Sequence, residues 1–377
     1  MKPYETNQVR TFGVEEELLL VDPETGVPQA VSGAVIRYAR EHGEQVPVPN
    51  GKDTFETEMQ REQLETGTRP CTSLDELAEQ IRAGRAAAAQ AAAGVDAAVV
   101  ALATSPVEVR PSLTPKRRYR MMADAYGVTA DEQLTCGCHV HVNISSPDEG
   151  VGVLDRIRPW LPPLLALSAN SPFWQGRDTG YDSWRQRVWD RWPSSGPTEP
   201  FEDAKTYRAT VDALLETGVL LDEGMIYFDA RLSRHYPTVE IRVADVCLDA
   251  DDTALMAALV RALVDTAADE WRAGLPPDPV RTELLRLAMW RASRSGMREE
   301  LVHPVTRHAA PARTVVEALL EHVRPALERS GDLDTVLRLL DALWERGNGA
   351  TRQRASYERA ENVHDVVTDA IRASAPR

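Results

Sequence analysis

Four stretches of the chain alternate apolar and polar residues with a period of two, the signature of strands that bury one face and expose the other. In Thr11–Val21, Phe12, Val14, Leu18 and Leu20 point one way, with Glu16 as the discordant member of that face. Glu15 and Glu17 point the other way, roughly 6–7 Å apart. In Leu134–Ser145, Cys136, Cys138, Val140 and Val142 share a face, opposite His139, His141 and Asn143. Met225–Leu232 sets Tyr227, Asp229 and Arg231 against Ile226, Phe228 and Leu232. Thr238–Val246 sets Glu240 and Arg242 against Val239, Ile241 and Val243, with a hairpin expected through Ser233–Pro237. A buried strand is also expected over Ala97–Thr104.

Helical signals fill the rest. Ser73-Leu74-Asp75-Glu76 is a capping box that opens a helix through Ala93. Thr114 and Pro115 fit the N-cap and first turn of a basic helix. A proline-disturbed helix is expected over 152–169 and another over 201–217. From Asp251 onward the pattern is helical, over about 251–272, 279–295, 311–329, 331–346 and 356–373. This predicts an α+β chain, residues 8–377 forming one domain: a sheet-containing core to about 250 and a helical part, 251–377, packed on it.

Composition narrows the function. The chain has 377 residues, 43% hydrophobic and 27% charged, ordinary for a globular protein. Its formal charge of −15 argues against nucleic acid or an anionic membrane surface as a partner. No run approaches the roughly 18 apolar residues of a bilayer span. The first ten residues show no apolar signal-peptide region. Cys71, Cys136, Cys138 and Cys247 do not make a disulfide framework in so long a chain, so a reducing cytoplasm is expected.

The candidate chemistry lies on the polar strand faces. Two buried carboxylates on one face, Glu15 and Glu17, repel unless a positive partner lies between them. A divalent cation held by oxygen ligands, Mg²⁺ or Mn²⁺, is one such partner; arginines or a charged sheet edge are the alternative. The C-x-C-H-x-H run invites a zinc site, but its cysteines and histidines fall on opposite faces and cannot close one tetrahedron. Residues 50–70 carry Glu56, Glu58, Glu62 and Glu65, read alone as a solvated acidic segment. Residues 168–196 interleave Trp174, Trp184, Trp189 and Trp192 with Arg177, Arg185, Arg187 and Arg191. That composition suits a nucleotide's base and phosphates, or cation–π packing in an ordered loop. Phosphate-loop, dinucleotide-binding, nucleophile-elbow and H-E-x-x-H motifs are absent. With four lysines in the chain, phosphate contacts fall to arginine and metal.

A sheet face lined with Glu, His, Asn and Arg describes metal–nucleotide phosphoryl chemistry. At this point the sequence resembles the type-2 glutamate–cysteine ligase, or carboxylate–amine ligase, family, related to glutamine synthetase. The resemblance rests on F-G-V-E-E-E at 12–17, H-V-H-V-N at 139–143, S-A-N-S-P-F-W at 168–174 and G-R-D-T-G-Y at 176–181. It extends through P-T-V-E-I-R-V-A-D at 237–245, W-R-A-S-R-S-G at 290–296 and G-N-G-A-T-R-Q-R at 347–354. The resemblance implies an antiparallel, partly closed sheet of glutamine synthetase type, with helices on its convex side, binding ATP and Mg²⁺ at its concave face. It implies a carboxylic acid such as glutamate activated as an acyl phosphate, an amine or amino acid that displaces the phosphate, weak use of cysteine, and a homodimer. Residue by residue it makes Glu15, His141 and Glu240 ligands of one metal, and Glu17, Glu58 and Glu65 ligands of neighbouring ones. Arg177 and Arg242 become the holders of phosphate or substrate carboxylate, assisted by Arg352, with Asn143 on the nucleotide side. A metal-dependent hydrolase and a non-catalytic nucleotide sensor are the rival readings.

Overall fold

The computed structural model describes residues 9–42 and 55–375. Residues 50–54 of the acidic segment, and the outermost residues of the expected 8–377 span, lie outside them. The strands among the described residues are β1 (Phe12–Val21), β2 (Phe55–Thr57), β3 (Gln63–Gly67), β4 (Ala98–Val100), β5 (Gly137–Asn143), β6 (Phe173–Trp174), β7 (Arg177–Asp178), β8 (Ala230–Leu232), β9 (Thr238–Asp245), β10 (Glu300–Val302) and β11 (Ala309–Pro311), the last two forming a small hairpin of their own. The main sheet runs β2-β3-β1-β5-β9-β8, antiparallel throughout, with β4 added alongside β1. β2 and β8 end the path without pairing to each other, so the sheet is open rather than partly closed. β6 and β7 form a separate small hairpin.

One face of the sheet carries the apolar positions of the alternating stretches. Phe12, Val14, Cys138, Val140, Val142, Val239 and Ile241 pack there against the helices Pro147–Ile157, Leu161–Ser168 and Ala250–Arg272. A second apolar cluster buries Leu18–Val21 with the helices Ser32–His42, Leu74–Ala93 and Val363–Ser374. Because β1 is buried on both faces from Leu18 onward, polar side chains can reach an open face only on its first half. The discordant Glu16 is buried and neutralised: Arg85 bonds both of its oxygens at 2.6 and 3.0 Å, and the Thr253 hydroxyl donates to it at 2.7 Å. At the start of β1, Arg10 is fixed by Glu149 and Asp265, each at 2.7 Å.

The helical signals hold with local differences. Ser73 caps the helix Leu74–Ala93 as expected. Thr114 does not cap the basic helix, which runs Arg117–Tyr126; its hydroxyl instead donates to the Glu58 carbonyl at 2.7 Å. Pro159 and Pro162 divide the expected helix over 152–169 into Pro147–Ile157, a 3₁₀ turn and Leu161–Ser168. The last expected helix is two, Gly349–Ala360 and Val363–Ser374, since Glu361 takes a left-handed conformation between them. The expected strand over Ala97–Thr104 is regular only at Ala98–Val100, with an isolated bridge at Thr104, and the one over Met225–Leu232 only at Ala230–Leu232, with an isolated bridge at Phe228. A 3₁₀ turn occupies Glu223–Met225.

Four of the recurring motifs interlock behind the sheet. Asp245, at the end of β9, accepts from the Asn170 amide (2.8 Å) and from the hydroxyls of Ser171 (2.7 Å) and Ser183 (2.8 Å). Asn170 in turn accepts from Gln353 at 2.7 Å, and a Cβ at Gly349 would overlap its side chain. Ser293 takes the backbone amides of Asp182 and Ser183 at 2.9 Å each. Fully satisfied buried polar knots of this kind fix one packing of their segments.

Candidate active site

Strand register aligns the polar faces. Glu17 stands opposite Glu65, and Glu65 opposite Glu56. Glu15 stands opposite His139; His141 stands opposite Glu240, and Glu240 opposite Arg231. A bulge between Cys138 and Val140 shifts β9 against β5 and brings the Arg242 guanidinium to 3.4 Å from His139 Nδ1. The result is a cavity of about 340 Å³ whose wall includes Glu15, Glu17, Glu56, Glu58, Glu65, His139, His141, Glu240, Arg231 and Arg242.

At its centre, one ligand atom each from Glu15, His141 and Glu240 lies within 4.8 Å of the other two. His141 is held by the Thr238 hydroxyl, 3.0 Å from Nδ1, which leaves Nε2 facing Glu15 at 3.3 Å. Such an outer hydrogen bond orients an imidazole toward a metal. Nε2 of His141 and Nε2 of His139 are both buried without a hydrogen-bond partner, the condition expected of ligand atoms awaiting an ion. Two carboxylates and one imidazole suit Mg²⁺ or Mn²⁺, so the donor set fits the divalent ion the sequence implies.

The charges beside this trio are unbalanced. Burial would raise the Glu15 carboxyl, but the imidazoles of His139 and His141 beside it outweigh that and hold it well below the usual range. Burial also opposes the charged form of Glu240, yet Arg242 and Arg231 keep it ionised. Arg231 grips both Glu240 oxygens at 2.8 and 3.2 Å, and Arg242 contacts the same carboxylate. Among the described residues no arginine or lysine grips Glu17 or Glu65 in this way. Burial and the neighbouring Glu58 push Glu17 up to about 7, although Gly137 N–H donates to it at 2.6 Å. Burial and the hydrogen bond with Glu58 push Glu65 well up. His139, buried beside Arg242, falls to about 4 and is neutral. Burial and crowding thus hold Glu17 and Glu65 toward their protonated forms in the metal-free protein.

This has a measurable consequence for the metal-free protein. A carboxyl whose pKa rises on folding favours the folded state only where it is protonated. Glu17 therefore destabilises the fold progressively between pH 4.5, its ordinary value, and about 7, where the penalty levels off. Glu17→Gln should melt higher than the wild-type protein at pH 8 in chelator, by on the order of 2 kcal/mol, with the gain gone at pH 4.5. Saturating Mg²⁺ should reverse the order. Equal melting temperatures across pH 4.5–8 would show that Glu17 is not charge-strained.

A second, more apolar chamber of about 220 Å³ adjoins the first. Gly13, Val14, Pro70, Tyr236, Pro237 and Asn143 help to line it, and it shares Glu15, Glu56, Glu65, His141 and Tyr236 with the larger cavity. The carboxylate cluster thus stands between two chambers.

Several residues singled out from sequence lie elsewhere. Arg177 is on the exposed β6–β7 hairpin and contributes nothing to either chamber wall. Arg352 lies on the helix Gly349–Ala360, facing Asp249 at 3.9 Å, also outside both walls. Their motifs run beside the interlocked frame behind the sheet: Asp178 and Asp182 bind Arg354, and Gln353 binds Asn170. Asp229 does not join Tyr227 and Arg231 in the wall; the strand begins only at Ala230, so the alternation does not extend back to it. Burial, with Asp190 nearby, pushes Asp229 up to about 7. Of the Trp–Arg stretch, Trp189 and Trp192 line the large cavity. Its arginines are otherwise engaged: Arg185 under the sheet beside Asp245, Arg187 with Asp190, and Arg191 with Glu132. Cys136 and Cys138 are buried in the apolar clusters, away from the histidine face, as strand parity requires. His139 and Arg231 are the residues that sequence reasoning left without a role, although both fall on the predicted polar faces.

The profile of glutamate–cysteine ligase family 2 matches residues 11–369. A Streptomyces avermitilis protein, provisionally named glutamate–cysteine ligase 2-1, is 54% identical over 364 residues, covering 97% of this chain and 99% of that one. The glutamate–cysteine ligase of Francisella tularensis, solved in complex with AMP, superposes with a TM-score of 0.68 at 14% identity, covering 99% of this chain and 89% of that one. The bifunctional glutathione synthetase of Pasteurella multocida superposes with a TM-score of 0.71 at 14% identity, over 97% of this chain and 52% of that one. Among the described residues, no helix is long and apolar enough to cross a membrane.

Proposed function

This chain belongs to glutamate–cysteine ligase family 2 and is an ATP-dependent ligase forming C–N bonds, and from that membership we propose a two-step reaction at the carboxylate cluster. In the first step a carboxylate oxygen of the acid attacks the γ-phosphorus of ATP, giving an acyl phosphate and ADP. In the second an amine nitrogen attacks the acyl carbon, the C–O bond to phosphate breaks, and amide, phosphate and a proton are released. Glutamate is the acid that the family name favours.

The observation that carries this reading is the convergence of Glu15, His141 and Glu240 to within 4.8 Å at the boundary of two chambers. Divalent ions, when bound, supply charge neutralisation along the phosphate chain. Glu15, His141 and Glu240 would hold one; Glu17, Glu58 and Glu65 would hold neighbouring ones. The smaller chamber, with apolar walls, Tyr236 and the Asn143 amide, takes the base and ribose; the AMP found in the Francisella enzyme is consistent with an adenine nucleotide. The larger cavity takes acid and amine. Arg242, in reach of the cluster and with only Nη1 committed to Glu240, holds the transferring phosphoryl group or the reacting carboxylate. Arg231 keeps Glu240 ionised and oriented. No protein nucleophile is needed, because phosphate is the leaving group that an unactivated carboxylate lacks. A hydrolase would use the same cluster on water, but the family favours the ligase.

The test is stoichiometric. Purified protein with ATP, Mg²⁺, glutamate and an amine should release one ADP per amide identified by mass. ADP release that ignores the acid would overturn the reading.

A further inference from the structure

The large cavity is poorly equipped for a second amino acid. Glutamate and cysteine together bring two α-carboxylates in addition to the reacting one. Among the described residues, the cations in the cavity wall that could receive them are Arg118, Arg231, Arg234 and Arg242. Arg118 has Nε and Nη2 on Asp222 at 2.6 and 2.9 Å. Arg231 has Nε and Nη2 on Glu240 and Nη1 on the Ile226 carbonyl at 2.7 Å. Both forks are filled by the protein. Arg242 serves the reacting group, which leaves Arg234, at the mouth and 55% exposed, 3.8 Å from Glu223. One spare carboxylate can be received there, and a glutamate-like acid uses it. Among the described residues, a carboxylate on the acceptor would find no further uncommitted arginine in this acidic wall.

What the cavity does offer an acceptor is aromatic surface. Trp189, Trp192 and Tyr227 pack edge-on or tilted, with centroids 4.8, 5.5 and 6.4 Å apart; Trp192 is buried behind, its N–H on Gln133, so the half-buried Trp189 and Tyr227 present the aromatic surface. Tyr119 and Met122 extend the wall. Aromatic walls of this kind take flat apolar groups in offset or edge contacts, and thioether adds to them.

We propose that the acceptor is a primary monoamine with an aromatic end and no carboxylate, an arylalkylamine rather than cysteine, its ring against Trp189 and Tyr227 and its nitrogen toward the carboxylate cluster. The inference rests on the ligase reading, and the chemistry is the second step above, with the amine's proton released.

The test uses the full chain with ATP, Mg²⁺ and glutamate, comparing acceptors that differ by one group. Hydroxylamine is included because it needs no acceptor pocket. Phenethylamine should exceed phenylalanine, which adds only the carboxylate, at least tenfold in kcat/KM, and should exceed L-cysteine and n-butylamine by a similar margin. Hydroxylamine should give glutamyl hydroxamate. If the hydroxamate forms but cysteine or phenylalanine matches phenethylamine, the carboxylate argument is overturned while the ligase reading stands. Parity of butylamine with phenethylamine overturns the aromatic assignment. If neither hydroxamate nor ADP forms with glutamate, the ligase reading with that acid fails and takes the inference with it.

Discussion

Glu15→Gln and His141→Ala should each lower kcat on the order of a thousandfold, about 4 kcal/mol in the barrier, in a protein that still folds. Both residues supply a ligand atom to the 4.8 Å trio, and a glutamine or alanine there removes charge or donor where the phosphate chain needs compensation. Neither side chain is tied into the frame behind the sheet, so near-UV circular dichroism should be retained. Glu240→Gln is expected to be as inactive but also less stable. Its carboxylate neutralises Arg231 and Arg242 together, and breaking a buried ion pair from one side costs about 3–5 kcal/mol. Turnover is read at saturating Mg²⁺, with melting temperature as the control. Wild-type turnover in Glu15→Gln or His141→Ala would remove the trio from the mechanism.

Arg242→Lys should reduce kcat by about a hundredfold with little change in the KM for ATP. The guanidinium offers further donors in one plane to a phosphoryl or carboxylate group while Nη1 stays on Glu240; lysine keeps the charge and loses the fork. Arg177→Lys should leave kcat within about twofold, since Arg177 lies on the exposed hairpin away from both chambers. The sequence motif alone gives these two arginines equal weight, so the pair separates geometry from motif resemblance. A large loss at Arg177 with none at Arg242 would reverse the assignment.

That contrast shows where sequence reading succeeds. Strand alternation needs no tertiary information, which is why Glu15, Glu17, His141, Glu240 and Arg242 could be placed on common faces, and why Cys136 and Cys138 could be separated from the histidines. His139 and Arg231 carried the same signal and could have been assigned by it. Glu58 and Glu65 read alone as a solvated segment; Glu65 reaches the site because β3 pairs with β1, with β2 and Glu58 alongside, which periodicity does not reveal. Motif resemblance points elsewhere: Asn170, Gly349 and Gln353 are held by close packing and buried hydrogen bonds, and Arg177 and Arg352, in or beside those motifs, lie outside both chamber walls. Asp229 was misplaced because alternation was extended back beyond Ala230, where the strand begins, and the β9 bulge that aims Arg242 at His139 leaves no local mark. The open sheet and the division of the site into two chambers depend on register and on long-range packing.

The activated acid is the centre of this account, and oxygen transfer tests it most directly. Glutamate labelled with ¹⁸O in both oxygens of its γ-carboxylate is incubated with the enzyme, ATP, Mg²⁺ and an accepted amine, and the released phosphate is analysed by mass. Because the attacking carboxylate oxygen leaves with the phosphoryl group when nitrogen displaces it, each phosphate should carry one ¹⁸O and each amide should retain one. Unlabelled phosphate released in step with amide formation would contradict the acyl-phosphate route.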